Sequence, residues 1–304
     1  MPGQEGMERL DEIRKLLPRE ISTQIFDRDK TFSFDKLQEI RLRTGQPLIM
    51  QYDNREKVFD HLITEKKEIN QCLEYISEYS LYAYQEDIRQ GFITVRGGHR
   101  IGVIGKAVME AGQVKNQKHI SFLNIRVAHQ IVGCANPVMN FICQNHKLEH
   151  TLIISPPGCG KTTLLRDIIR QLSNGTCMEG KKVCVVDERS EIAACYEGVP
   201  QNDIGIRTDV LDCCYKANGM LMFVRSMSPE VIAIDEIGGV DDLKAIDYII
   251  NCGCVVIGTI HGNSVEEIQQ KPHMGKLLGN GIFTRIIVLS KENGVGTVKQ
   301  VMEI

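Results

Sequence analysis

Residues 151–170 read TLIISPPGCGKTTLLRDIIR, an apolar run that passes through a turn rich in proline and glycine into a segment with helical spacing. A strand, a glycine-rich loop, a Lys-Thr pair and a helix in that order are typical of a phosphate-binding loop. Backbone N–H groups in such a loop point inward, and the following helix presents the positive end of its dipole. The stretch therefore predicts that a polyphosphate binds here largely through main-chain donors.

The expected contacts are divided among the residues of this turn. Lys161 is predicted to reach the β- and γ-phosphates of ATP, and the Thr162 hydroxyl is predicted to hold Mg²⁺. The predicted nucleotide-binding residues are Ser155, Pro156, Pro157, Gly158, Cys159, Gly160, Lys161, Thr162 and Thr163. Ser155 stands where the first glycine of G-x-x-x-x-G-K-[ST] is usual, but residues 157–162 still supply the cradle. We call residues 156–160 the glycine-rich loop.

Length and composition limit the class of protein. The chain has 304 residues, a net charge of −3 and 11 cysteines, so it is long enough for two domains. Slight net acidity argues against a chain dominated by nucleic-acid binding. Residues 1–15 are polar and charged, unlike a secretory signal, and no apolar run approaches the roughly 18 residues that a membrane span needs. We therefore expect a soluble, cytoplasmic protein with reduced thiols.

The first 130 residues predict a small α+β domain. Helical spacing is present at residues 7–17 and 64–90, and strands are expected at residues 40–43, 47–52, 92–96, 100–105 and 120–127. Glycines at 97 and 98 between two of these runs predict a hairpin. A domain boundary is expected near residues 128–136, which gives domains at 1–130 and 131–304.

From residue 131 onward, predicted strands alternate with predicted helices, the pattern of a parallel sheet with helices on both faces. The strands are expected at residues 151–155, 182–187, 231–236, 254–259, 284–289 and 296–302. The helices are expected at residues 136–145, 164–170, 211–225 and 239–251, and after a Ser264 cap in a capping box with Glu267. The 211–225 helix, rich in Met and Leu, is expected to face the core. The predicted fold class is α/β.

Two of the predicted strands end in carboxylates, at the edge where such sheets bind ligands. Asp235 and Glu236 follow four apolar residues in the Walker B form, so Asp235 is predicted to bind Mg²⁺ and Glu236 to polarise the attacking water. Residues 187–191, DERSE, place three carboxylates within five residues, which repel one another unless a cation lies among them or they are solvated. The general base is therefore either Glu236 or Glu188.

A histidine follows the fourth predicted strand. His261 lies in residues 259–264, TIHGNS, and can sense the γ-phosphate or Mg²⁺ through hydrogen bonds without titrating. A structural role is the alternative for a single histidine at this position.

Together these segments resemble known families. Residues 223–237, FVRSMSPEVIAIDEI, are similar to a segment of the type II and type IV secretion ATPases, TIHGNS is similar to their His box, and residues 187–188 stand where their Asp box falls. Asp235 replaces a glycine of their pattern, and Gly238 and Gly239 replace an Arg-Asp pair. The chain more closely resembles the stage III sporulation AA family of endospore-forming bacteria. That resemblance covers about residues 90–264, through GGHRIG (97–102), NIRVA (124–128), PPGCGKTTLLRD (156–167), DERSEIA (187–193) and RSMSP (225–229).

The resemblance implies a RecA-like P-loop ATPase core after the smaller N-terminal domain, using ATP and Mg²⁺ and assembling as a homo-hexamer. It also implies docking on membrane-embedded subunits of a sporulation channel between mother cell and forespore, in the mother-cell cytoplasm. Net charge and aromatic content, rather than the resemblance, are the reasons to expect no nucleic-acid partner. In such rings arginines complete the nucleotide site, some from a neighbouring subunit. The candidates, among which the sequence does not choose, are Arg96, Arg100, Arg126 and Arg225. For the first three, solvated charges on or beside strands are the alternative.

Two other functions stay open. RecA-like cores also serve ATPases that remodel single-stranded nucleic acid, although this chain has no Trp and few aromatic residues for base stacking. A scaffold that binds ATP in order to assemble, with little hydrolysis, is the other alternative.

Overall fold

The computed structural model describes residues 4–29, 31–53, 55–80, 84–144, 147–271, 273–279, 281–292 and 294–304. This part of the chain forms two compact units, which divide between His129 and Gln130. Within the same ranges, no helix has the length and apolar character needed to cross a bilayer.

The first unit is built on a six-stranded antiparallel sheet with the order β3-β2-β1-β6-β5-β4. Its strands are β1 (Leu37–Arg43), β2 (Pro47–Tyr52), β3 (Arg55–Ile63), β4 (Phe92–Thr94), β5 (Arg100–Glu110) and β6 (Gln113–Arg126). Its α-helices are α1 (Gln4–Lys15), α2 (Arg19–Ser22), α3 (Lys66–Ile76) and α4 (Gln85–Gln90). Alternate residues of β2 are buried, because one face of the sheet packs on the helices. The predicted hairpin at residues 92–105 is confirmed by the antiparallel pairing of β4 with β5.

His99 ties three segments of this unit together. Its ring is fully buried, and Nδ1 accepts the Ala128 N–H at 3.1 Å while Nε2 lies 3.1 Å from the Arg9 carbonyl oxygen. Because Nδ1 accepts, Nε2 carries the proton and the ring is neutral. Burial is the main reason that the pKa of His99 is lowered to about 4.

This burial predicts a pH dependence of stability. An unfolded histidine titrates near 6.5, so between that pH and about 4 the unfolded chain binds more protons than the folded one, and acidification removes stability. When the pH is lowered from 7.5 to 5.0, the free energy of opening measured at the β5 and β6 amides should fall. The fall should be about 2 kcal/mol larger in the wild type than in His99→Gln. Hydrogen exchange measures that difference, with the exposed His119→Gln as the matched control. Equal pH slopes in wild type and His99→Gln would contradict this role.

The second unit contains a seven-stranded sheet with the order β11-β10-β12-β13-β9-β14-β15 and a two-stranded antiparallel sheet of β7 and β8. The strands are β7 (Cys143–Gln144), β8 (Lys147–Leu148), β9 (Thr151–Ser155), β10 (Val183–Asp187), β11 (Thr208–Asp212), β12 (Val231–Ile234), β13 (Val255–His261), β14 (Arg285–Ser290) and β15 (Thr297–Glu303). All neighbours from β11 to β14 are parallel, and β15 is antiparallel. The predicted parallel sheet is confirmed.

Helices pack against the central strands of this sheet, and every residue of β9, β10 and β12 is buried. The helices of the unit are α5 (Asn136–Ile142), α6 (Lys161–Asn174), α7 (Lys216–Ser226), α8 (Val240–Asn251), α9 (Val265–Gln270) and α10 (Met274–Gly279). The Ser264 cap of α9 is confirmed, because its hydroxyl accepts the Glu267 N–H. The capping box is not reciprocal, since the Glu267 carboxylate accepts the N–H of Asn263.

The prediction of one helix over residues 211–225 was wrong at its beginning. Leu211 lies in β11, and α7 starts only at Lys216. Strand pairing overrides the helical spacing here, because β11 pairs with β10 over five residue pairs, from Val183–Thr208 to Asp187–Asp212. The helix also faces the core along one stripe only, with Met220 buried and Met222 half exposed.

Candidate functional site

The sheet order brings the predicted chemical residues to one edge. β10, β12, β13 and β9 are consecutive neighbours and run parallel, so their carboxyl ends lie side by side. The glycine-rich loop follows β9, Asp235 and Glu236 follow β12, and His261 ends β13.

The glycine-rich loop has a backbone that only glycine adopts easily. Gly158 and Gly160 have φ values of 67° and 83°, and Cys159 between them is almost completely buried. The Ser155 hydroxyl donates to the Pro156 carbonyl at 2.8 Å, so the serine in place of glycine is accommodated within the turn. No side chain among the described residues caps α6, which leaves its first N–H groups available to an anion.

The predicted metal-binding residues touch one another. The Thr162 hydroxyl donates to Asp235 Oδ2 at 2.6 Å, and the Thr259 hydroxyl donates to Asp235 Oδ1. The Lys161 ammonium lies 3.3 Å from Asp235 Oδ1 and 3.0 Å from Glu236 Oε1. Lysine, hydroxyl and two carboxylates, separated by about a quarter of the chain, therefore form one cluster at the mouth of the glycine-rich loop.

Glu236 lies at the centre of this cluster. Besides Lys161, its carboxylate contacts Arg189 Nη1 at 2.7 Å and His261 Nε2 at 2.7 Å. Burial acts to raise the pKa of Glu236, but the hydrogen bonds from Lys161 and His261 outweigh it and hold the pKa at about 2. The residue has φ 55°, a conformation that non-glycine residues rarely adopt and that occurs at functional sites.

Two of the three carboxylates at residues 187–191, Asp187 and Glu188, have different surroundings. Asp187 is buried and accepts the N–H groups of Glu191, Ile192 and Ala193, so it closes its own loop. Burial raises the pKa of Asp187 to about 6 despite those hydrogen bonds. Glu188 is paired with the Lys216 ammonium. Glu188 and Lys216 line the same small cleft as Arg189, Asp235 and Glu236.

The candidate arginines are divided between the two units. Arg225 is exposed in the last turn of α7. Arg96, Arg100 and Arg126 belong to the first unit: Arg96 lies in the turn after β4, Arg100 is stacked 3.6 Å above the Phe92 ring, and Arg126 lies 3.8 Å from Glu39.

The sequence reasoning missed several residues around the glycine-rich loop, among them Thr259, Arg189 and Lys216. It also missed Lys291, which follows β14, the parallel neighbour of β9. The Lys291 ammonium lies 3.3 Å from the point that a Cβ on Gly158 would occupy. The Gly296 N–H in the same β14–β15 loop donates to the Cys159 carbonyl at 3.0 Å. The sequence predicted the strand before Lys291 but not its position beside β9, so it did not show that Lys291 lies near the glycine-rich loop.

Comparison with known proteins gives a family and a fold. The sequence model of the family described as "Sporulation stage III, protein AA" matches residues 7–304. The chain is 38% identical over 295 residues to stage III sporulation protein AA of Bacillus subtilis (strain 168), which covers 97% of this chain and 95% of that protein.

Two solved structures share the architecture at low sequence identity. The ATPase DotB of Legionella pneumophila aligns with a TM-score of 0.56 and 17% identity over 83% of this chain and 72% of that one. The pilus retraction motor PilT, solved with bound ADP, aligns with a TM-score of 0.57 and 17% identity over 88% of this chain and 76% of that one. The predicted fold class, a RecA-like core after a smaller N-terminal unit, is confirmed.

Proposed function

Because this chain belongs to the sporulation stage III, protein AA family, we propose that it is a Mg²⁺-dependent ATPase. The observation that carries the proposal is the cluster of Lys161, Thr162, Asp235 and Glu236 at the glycine-rich loop. These are the side chains that phosphoryl transfer needs beside one another: a cation for phosphate, oxygen ligands for metal and a carboxylate for water.

The residues present fit both ATP and the metal. The uncapped start of α6 and the left-handed glycines offer main-chain donors to phosphate oxygens. Thr162 and Asp235 supply hydroxyl and carboxylate oxygens, which Mg²⁺ prefers. Mg²⁺ held there would neutralise charge that develops on the transferred phosphoryl group.

Lys161 links nucleotide binding to the state of Glu236. As long as the ammonium pairs with Asp235 and Glu236, the Glu236 carboxylate is a weak base, because its pKa is held at about 2. A phosphate group competes for Lys161, so Glu236 loses one cation when nucleotide binds and becomes more basic. Arg189 and His261 keep the carboxylate oriented during this exchange. Glu188, which stays paired with Lys216, is the second candidate base.

The proposed setting is a homo-hexamer in the mother-cell cytoplasm, docked on membrane-embedded subunits and powering a channel complex between mother cell and forespore. Arg96, Arg100, Arg126 and Arg225 are the proposed sources of cations that complete the nucleotide site, within or between subunits. The support is the family membership. The scaffold alternative has one observation in its favour: the Glu236 carboxylate contacts Lys161, Arg189 and His261, which leaves it poorly placed to accept a proton in the present arrangement.

The assembly proposal is tested by measuring phosphate release over a range of protein concentrations. Catalysis between subunits predicts that activity per molecule rises steeply with concentration and is unchanged by added single-stranded oligonucleotides. Activity per molecule that is constant over the whole range would count against a site completed by a neighbour. Salt-sensitive stimulation by oligonucleotides would instead favour a nucleic-acid remodelling role.

Lys291→Ala is expected to weaken ATP binding about five- to tenfold, since an exposed lysine at the glycine-rich loop adds one charge-assisted contact to phosphate. Titration calorimetry with ATP measures the change. The matched control is Lys299→Ala in the same hairpin, whose ammonium lies 3.3 Å from Glu292. Equal affinities in the two variants would show that Lys291 does not contact the nucleotide.

A further inference from the structure

Two cysteine thiols lie against each other in the second unit, away from the Glu236 cluster. Cys143 Sγ and Cys177 Sγ are 3.1 Å apart and belong to segments 34 residues apart in the chain. Both are free thiols and both are half-buried. A disulfide has its sulfurs about 2.05 Å apart, so bond formation requires them to approach by only about 1 Å.

Contacts at Cys143 and at residues before and after it in the sequence hold Cys143 in place. Its N–H donates to the Met139 carbonyl at the end of α5, and the residue pairs with Leu148 in the β7–β8 sheet. The buried Arg285 side chain donates to the Phe141 carbonyl at 3.1 Å and to Gln144 Oε1 at 2.9 Å. The backbone on each side of Cys143 is therefore fixed.

Cys177 is held by a tight loop at the end of α6. Gly175 ends the helix with φ 76°, and the Thr176 N–H donates to the Gln171 carbonyl at 3.0 Å. The loop returns to the helix where the Lys181 N–H donates to the Leu172 carbonyl at 2.9 Å. Two constrained backbones thus present the thiols to each other, so little conformational entropy remains to be lost when they join.

Burial affects the reactivity of Cys143. Burial, followed by the contact with the Cys177 thiol, raises the pKa of Cys143 above its ordinary range. Cys143 is therefore a slow nucleophile toward an oxidant in solution, whereas a mixed disulfide on Cys177 would place its target sulfur within about 3.1 Å.

We propose that Cys143 and Cys177 form a reversible disulfide bond with each other. The oxidant is a small-molecule disulfide such as oxidised glutathione. The Cys177 sulfur gives its proton to solvent and attacks the oxidant, which releases one glutathione thiolate. The Cys143 sulfur then loses its proton and attacks the Cys177 sulfur of the mixed disulfide, releasing the second glutathione. Two protein thiols are oxidised and one disulfide is reduced to two thiols.

The bond would fasten the end of α6, the helix that begins at Lys161. The N-terminal end of α5 is already attached to α6, because Asp167 Oδ2 accepts the Ala135 N–H at 2.8 Å and Gln171 donates to Asn136 at 2.8 Å. The disulfide adds a covalent connection between the segments that follow the two helices. Its main effect is on stability, since it constrains the unfolded chain and touches no residue of the Glu236 cluster.

The test incubates the full chain with oxidised glutathione and analyses it by intact mass, thiol titration and non-reducing peptide mapping. The expected result is the loss of two hydrogen atoms and two titratable thiols, with one cross-linked peptide pair that contains Cys143 and Cys177. The thermal midpoint should rise by about 5–10 °C and return on reduction. Cys143→Ser should instead retain one glutathione on Cys177, and the exposed Cys252→Ser is the matched control.

Three outcomes would overturn the proposal. They are an unchanged number of thiols, a cross-link that joins other cysteines, and wild-type protein that retains glutathione on Cys177 with Cys143 unmodified. None of these readouts depends on nucleotide binding, so the inference can fail while the proposed ATPase function stands, and the reverse.

Discussion

Lys161→Ala should weaken ATP binding by about 100-fold or more, because two effects act in the same direction. The variant lacks the ammonium that would hold the phosphates. It also leaves the carboxylates of Asp235 and Glu236 without the cation that lies 3.3 Å and 3.0 Å from them, so they would repel a polyphosphate. Calorimetric titration with ATP, with and without Mg²⁺, measures the loss.

A matched control separates this effect from a general loss of charge. Lys181→Ala removes a lysine that is also ion-paired, 3.0 Å from Glu230, just before β10 and therefore at the opposite edge of the sheet. That variant should bind ATP like the wild type. If Lys161→Ala keeps its fold and binds ATP with wild-type affinity, the glycine-rich loop is not the nucleotide-binding site.

Glu236→Gln should lower the turnover number by about 10²–10⁴-fold while ATP stays bound, because the amide cannot accept a proton from the attacking water. Affinity for ATP should not fall, since Lys161 no longer has a carboxylate at Glu236 to compete with the phosphates. Single-turnover hydrolysis and nucleotide retention on the same sample give both quantities.

Glu188→Gln is the matched variant, because it neutralises a carboxylate of the same cleft that is paired with Lys216. We expect only a modest fall in turnover there, since the cation that pairs with Glu188 is Lys216, whereas Glu236 contacts Lys161, the residue proposed to hold phosphate. The reverse pattern, with ATP trapped in Glu188→Gln and cleaved in Glu236→Gln, would move the base to Glu188. Normal hydrolysis in both variants would exclude both carboxylates.

The parts of the site that were predicted from the sequence are those encoded locally. The segment from Thr151 to Thr163 carries strand, turn, lysine and helix start within 13 residues, so backbone preference and side-chain chemistry can be read together. The strand ends at Asp235 and His261 were found in the same way, because parallel strands share one edge for their carboxyl ends.

The residues that were missed depend on contacts across the fold. Lys291 looks like an ordinary charge after a strand until β14 is placed beside β9, which brings the β14–β15 loop to Gly158. Asp187 looked available for a cation, but three backbone N–H groups four to six residues ahead occupy its oxygens. Leu211 had helical spacing, and pairing with β10 made it part of a strand.

We propose above all that the cluster at the glycine-rich loop hydrolyses ATP with Mg²⁺. The decisive measurement is phosphate release from ATP by the purified full chain at high protein concentration, with Mg²⁺ and then with excess chelator, beside Lys161→Ala. We expect release that needs the metal and is absent from the variant. Release that does not exceed that of Lys161→Ala at any concentration, from a folded chain that binds ATP, would contradict it and leave a scaffold that binds nucleotide without cleaving it.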